Sequence, residues 1–360
     1  MNRATADTSG GFLIFPLKRG AFCAIMLFDK SWENSDMDLW NVLSVGIAFL
    51  LSAVLCPLLI PMLKKLKFGQ NIREEGNPEH KKKQGTPTMG AIAYLAAFFV
   101  TAVAAGFLFP GNADLKKWLP VLLLTFGFGI VGFIDDYLKV VKKKSEGFKP
   151  AQKLVCQLVL TAGFVVYCYL TPEIGTKVIL PFTGGKEWDM GWIYIPFAIA
   201  AILGTDNGTN FTDGLDGLLS SVTVVVALFL GYASLKLGGG VSYLAGAMAG
   251  ALLGFLLSNA YPAKVFMGDT GSLAVGGFVA GTALVLRMGW FILLFGLIYL
   301  VEVLSVILQV SYFKVTHGKR IFKMTPIHHH FELSGWSEPR IVVLFVIVTI
   351  FMCAVSALAM

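Results

Sequence analysis

Apolar residues in this chain fall into long runs bounded by charge or by Gly/Pro clusters. Ten such runs predict membrane-spanning helices near Val42–Met62, Thr88–Phe109, Leu119–Phe133, Leu154–Leu170, Ile193–Gly204, Leu218–Leu235, Tyr243–Leu257, Leu273–Leu286, Trp290–Phe313 and Ile341–Leu358. A span needs about 20 apolar residues. The fifth run is short, and its extension is expected through the preceding Trp188–Tyr194 segment. Gly11–Phe28 is interrupted by Pro16, Lys18 and Arg19 and is not counted. An interfacial segment and a signal-like remnant both remain open for it. The expected organisation is all-α: an N-terminal segment of open role, 1–41, and one transmembrane domain, 42–360.

Composition agrees with the pattern. Of 360 residues, 56% are apolar and only 14% are charged, with a mean hydropathy of +0.72. A soluble domain of this length carries nearly twice that charged fraction. A secreted disulfide scaffold, a disordered regulator and a nucleic-acid binder are excluded. The five cysteines (Cys23, Cys56, Cys156, Cys168, Cys353) are scattered and form no Cys-x-x-Cys pair, so they suggest neither zinc nor a redox centre.

The placement of charge says more than the net +7. Loops after odd-numbered spans carry 19 of the 29 Lys and Arg, and loops after even-numbered spans carry 6. Because basic residues concentrate on the cytoplasmic side, the odd loops are expected there and both termini outside. All five histidines also lie on odd loops. Topology alone accounts for basic residues but does not select for histidine.

Four polar constellations share that face. Phe133-Ile134-Asp135-Asp136-Tyr137-Leu138-Lys139 closes the third span, with Lys142, Lys143 and Lys144 following. Two adjacent carboxylates attract a divalent cation, and the mixed signs suit a metal-bound, phosphate-rich ligand. The fifth loop, Asp206-Asn207-Gly208-Thr209-Asn210-Phe211-Thr212-Asp213-Gly214-Leu215-Asp216-Gly217, has three carboxylates and no Lys or Arg. Its glycines allow close backbone approach, and its Asn and Asp side chains offer hard oxygens. The seventh loop, from Ser258 and Asn259 through Phe266-Met267-Gly268 to Ser272, has Asp269 as its sole acid. Asp269 could bind a cation or merely cap the following helix. The ninth loop carries Pro326-Ile327-His328-His329-His330-Phe331-Glu332 after Lys319, Arg320 and Lys323. An unbroken His run suits phosphate oxygens better than tetrahedral zinc.

Two further features lie within spans. Glu302 is the sole acid in the middle of any span and is read as functional by default. Gly246, Gly250 and Gly254 form a small-residue ridge expected to serve close helix packing inside the protein. A transporter would be expected to hold its ionisable groups near the bilayer midplane. Here they sit at the cytoplasmic boundary, where a water-soluble substrate meets a lipid one. The pattern is that of a membrane enzyme.

Together FxDDYxK, NxTDGLDGL, NxxPAxxFMGDxGS and the PxHHHxE run resemble the polyprenyl-phosphate N-acetylhexosamine-1-phosphate transferases. Thr86-Pro87-Thr88-Met89-Gly90 also matches, although Gly90-Ala91 stands where the family commonly has Gly-Gly. Within that superfamily, His328-His329-His330-Phe331-Glu332 resembles the phospho-N-acetylmuramoyl-pentapeptide transferases (translocase I). The likeness runs from about Val42 to the C-terminus.

The resemblance implies a multi-pass enzyme of the bacterial plasma (inner) membrane, active in peptidoglycan synthesis. It would transfer phospho-N-acetylmuramoyl-pentapeptide from UDP to undecaprenyl phosphate, giving lipid I and UMP, with Mg2+ as cofactor. By the same resemblance, Asp269 is the metal ligand, while Asp135 and Asp136 match the acidic pair, the first often proposed as a base. Asn210, Asp213, Gly214, Leu215 and Asp216 fall in the nucleotide-side loop, and Phe266 matches an aromatic that stacks on uracil. Lys139, Lys153, Asn259, His329 and His330 match polar positions lining the site, and His328 is grouped with the catalytic residues. Uridine-containing inhibitors are expected ligands. Homodimer and monomer both remain open. Two other readings are a sister transferase using UDP-N-acetylglucosamine and a flippase for a lipid-linked sugar.

Overall fold

The computed structural model describes residues 35–65, 83, 85–108, 113–140 and 147–360. The 11–28 run and Lys142–Lys144 lie outside them. The helices are α1 (Ser35–Lys65), α2 (Ala91–Leu108), α3 (Leu115–Val140), α4 (Pro150–Leu170), α5 (Tyr194–Thr212), α6 (Leu218–Lys236), α7 (Ser242–Asn259), α8 (Asp269–Val285), α9 (Ile292–Phe295), α10 (Leu297–Val315), α11 (Ile327–Glu332) and α12 (Glu338–Ala359). Between α4 and α5, β1 (Lys177–Ile179) pairs antiparallel with β2 (Glu187–Asp189).

Eight of these helices are long and apolar enough to cross a membrane: α1 to α4, α6, α7, α10 and α12. The protein is an all-α, multi-pass membrane protein. Helices α5 and α8 stand at the two remaining predicted span positions, and α8 is an apolar helix of 17 residues. The apolar side chains of α8 are buried from Leu273 to Val285, so it stands at the centre of the bundle. Peripheral helices turn large side chains outward, as with Leu58 (66% exposed) on α1 and Phe351 (64%) on α12.

Three boundaries differ from expectation. The short fifth span extends forwards through Thr212, and backwards only by the 3-10 turn Gly191–Ile193 that runs into α5, since Trp188 belongs to β2. Polar residues prolong α5 because they bond to their own helix: Thr212 Oγ1 donates to Gly208 O (2.7 Å) and Asn207 Nδ2 to Leu203 O (2.8 Å). The segment read as the start of a loop, Asp206–Thr212, is therefore helical. Likewise α3 continues to Val140, which places Asp135 and Asp136 inside a helix. The ninth span is broken at Gly296 into α9 and α10.

The glycine ridge of α7 receives α1. A Cβ on Gly250 would run into Val45 O, and one on Gly254 would meet Phe49 O and Ser52 Cβ. The backbones are close enough to exclude any side chain there. Gly250→Ala is expected to lower the melting temperature in detergent by an amount equivalent to about 1–3 kcal/mol, since the helices must separate. An unchanged melting curve would show that the crossing has slack.

Candidate active site at one end of the bundle

The C-terminal ends of α3 and α5 and the N-terminal ends of α4 and α8 meet on one side of the bundle, and the C-terminal end of α7 bonds to the start of α6. Asp269 is the first residue of α8, after Gly268 at φ 78°. Its side chain does not cap its own helix. Asp136 on α3 does that, accepting from Asp269 N (3.1 Å), Thr270 N (2.8 Å) and Thr270 Oγ1 (2.6 Å). The helices touch so closely that a Cβ on Gly132 would strike Asp269 O.

With the helix start satisfied from outside, the Asp269 carboxylate faces a ring of donors. Lys139 Nζ lies 2.7 Å and Lys153 Nζ 2.9 Å from Oδ2, and Asn210 Nδ2 donates to Oδ1 at 3.0 Å. The same lysines reach Asp135 Oδ2, at 3.0 and 3.5 Å. Asp135 Oδ1 accepts from Phe148 N (2.7 Å), which anchors the chain entering α4. Two carboxylates and two ammonium groups thus form one charge-balanced cluster. Lys139 is 40% exposed and Lys153 17%, so the cluster opens towards solvent. Desolvation, and then the carboxylates of Asp269, Asp136 and Asp216, push the Asp213 carboxyl well above its usual pKa.

Asp135, Asp269 and Asn210 supply hard oxygen chemistry. Among the described residues no group of three or more His, Cys, Asp or Glu is placed to hold a metal by itself. A Mg2+ ion held by one or two carboxylates and completed by substrate phosphates needs no such group. The residues present fit that mode.

Region 118–287 matches the family model described as glycosyl transferase family 4. Relatives named phospho-N-acetylmuramoyl-pentapeptide-transferase align over nearly the whole chain. The one from Clostridium novyi (strain NT) is 47% identical over 320 residues, covering 89% of this chain and 96% of the relative. That from Clostridium perfringens (strain 13 / Type A) is 49% identical over 316 residues, covering 88% and 97%. The chain belongs to the phospho-N-acetylmuramoyl-pentapeptide-transferase family.

In this member of the transferase family, the other residues of the polar constellations brace the surrounding loops. Asp216 is buried: Oδ1 takes Lys83 Nζ at 2.7 Å and Oδ2 takes Ala263 N at 2.9 Å. Lys83 also reaches Glu338 Oε2 at 2.7 Å, at the start of α12. Desolvation lowers the Lys83 pKa, but the hydrogen bonds that Lys83 donates to Asp216 and Glu338 outweigh it and raise the value, so the ammonium keeps its proton. Asn259 accepts from Ser220 Oγ (2.9 Å) and donates to Val265 O (3.1 Å), which fixes the loop preceding Phe266. Phe266, half-buried, is held by its backbone: its N donates to Pro87 O and its O accepts from Gly90 N. The Thr86–Gly90 motif therefore clamps the Phe266-Met267-Gly268 motif. Leu215 is buried, and exposed Gly214 lies against the His328 ring.

The histidine run forms α11, and its members face three different partners. His328 Nδ1 lies 3.1 Å from Glu302 Oε2, and His329 Nδ1 2.6 Å from Glu332 Oε2. His330 Nδ1 accepts from Lys323 N at 3.1 Å. Cys56, Cys156, Cys168 and Cys353 are free thiols. Lys83, Glu338 and Gln157, which donates to buried Asp206 at 2.6 Å, were not singled out in the sequence. Lys83 is hidden in a basic run that topology explains, and Glu338 and Gln157 sit at or in an apolar segment without a motif.

Proposed function

We propose that this protein transfers phospho-N-acetylmuramoyl-pentapeptide from UDP to undecaprenyl phosphate, releasing UMP and forming lipid I. The observation that carries the reading is the Asp269 carboxylate, freed from capping by Asp136 and set among Lys139, Lys153 and Asn210. We further infer ten spans, with α5 and α8 crossing among the other eight, both termini outside and the site on the cytoplasmic face of the bacterial inner membrane. The excess of Lys and Arg on the odd loops supports that orientation.

The reaction joins an oxygen of the acceptor phosphate to the sugar-bearing phosphorus of the donor. It breaks the bond from that phosphorus to the oxygen that leaves with UMP. Such transfers depend on positioning and charge neutralisation more than on covalent help from the protein. Lys139 and Lys153 are suited to grip donor or acceptor phosphate oxygens as point charges. Asn210 orients Asp269. The acceptor is a monoester with a second pKa of about 6 and is mostly dianionic at neutral pH, so Asp135 serves positioning more than proton removal. Asp269 and Asp135 would hold Mg2+, which when bound withdraws charge from the phosphoryl group. A carboxylate already shared by two ammonium groups is a weak nucleophile, which favours direct displacement over an Asp269-linked intermediate.

The test uses purified protein with UDP-N-acetylmuramoyl-pentapeptide and undecaprenyl phosphate, following UMP and lipid I. Consumption of UDP-N-acetylglucosamine instead would assign the sister activity, and absence of UMP exchange would favour a flippase. Phe266→Ala is expected to weaken a uridine-containing inhibitor about tenfold, through loss of roughly 1–3 kcal/mol of stacking. Unchanged inhibitor affinity would locate the uracil elsewhere.

A further inference from the structure

Glu302 and His328 form a pair outside the carboxylate–lysine cluster. Glu302 lies in α10, just past the break at Gly296, and is fully buried, while His328 is 1% exposed. Glu302 Oε2 meets His328 Nδ1 at 3.1 Å. Among the described residues neither Glu302 Oε1 nor His328 Nε2 has a hydrogen-bond partner. The ring edge carrying Nε2 is turned to Gly214, where a Cβ would run into it. Gly214 separates Asp213 from Leu215 and Asp216, on the loop that joins α5 to α6.

Burying an acid and an imidazole in a membrane helix bundle is costly, and a well-packed apolar pair is often at least as stable. Such a pair calls for a use beyond stability. A carboxylate on Nδ1 fixes both the orientation of an imidazole and the nitrogen left for other work. We propose that Glu302 is a positioning residue: it holds His328 so that Nε2, as an N–H, meets an acceptor oxygen of the donor nucleotide bound beside Gly214. One proton lies between Oε2 and Nδ1 and a second on Nε2, which leaves the buried pair neutral overall. This deepens the transferase reading and rests on it.

The test has two parts, both on the full chain in detergent. The first is the 15N spectrum of histidine-labelled wild-type protein, in which one histidine should show both ring nitrogens protonated and lose that signature in Glu302→Gln. The second is kinetics of Glu302→Gln, a near-isosteric change: the donor KM should rise about tenfold, as for loss of one charge-assisted hydrogen bond. The acceptor KM and the melting temperature should stay close to wild type. A wild-type spectrum without that histidine would overturn the proposal, as would unchanged donor kinetics, or donor and acceptor parameters worsening together with the melting temperature. If wild-type protein releases no UMP, the transferase reading fails, while the spectrum still decides the Glu302–His328 pairing.

Discussion

Asp269→Asn is expected to lower turnover by about 10²–10³-fold or more, because it removes a fixed charge aimed at the reacting phosphates. The melting temperature in detergent should stay within a few degrees of wild type. The start of α8 is held by Asp136, and both lysines keep Asp135 as a partner. Release of UMP and a thermal melt measure the two effects. Turnover within tenfold of wild type would return Asp269 to a helix-start residue with no part in the chemistry.

Asp136→Asn should act first on stability. The Asp136 carboxylate accepts from two backbone N–H groups and one hydroxyl. An amide has one acceptor oxygen and would turn N–H groups towards some of these donors. A buried donor left unpaired costs about 1–3 kcal/mol, so the melting temperature should fall by roughly 2–10 °C. Turnover should fall with it, because Asp269 N is one of the donors released. Lost activity with an unshifted melt would mean that Asp136 touches substrate directly instead of supporting α8. Adjacent in sequence, the two acids of the pair thus divide the work: Asp135 shares the lysines and Asp136 holds a helix.

Most of the carboxylate–lysine cluster was legible because its residues fall in dense polar stretches between apolar runs. Asp135, Lys139, Asn210 and Asp269 stood out for that reason, and the structure brings them together. The division of labour was not legible. Adjacent carboxylates look alike in a sequence, yet successive helical positions point about 100° apart, so one meets α8 and the other the lysines. Asp216 and Asn259 looked like ligand groups, yet each is also a brace, and their partners Lys83 and Ser220 lie 133 and 39 residues away. Hydropathy found the helices but misjudged where α3 and α5 end, because it scores Asp and Thr as breaks even when they are satisfied inside the bundle. Glu302 was visible as an anomaly, but its partner could be found only in the fold.

The Lys83 bridge has a consequence for how the protein is made. Its two partners, Asp216 and Glu338, lie 133 and 255 residues further along the chain. Chains are synthesised and inserted from the N-terminus, so Lys83 must wait while nearly the whole polypeptide emerges. Only when the first turn of α12 has left the ribosome can the three segments lock. Lys139 and Lys153 wait in the same way for Asp269. The nascent protein therefore stays without a finished carboxylate–lysine cluster through most of its insertion, and that cluster matures as one of the last events of biogenesis.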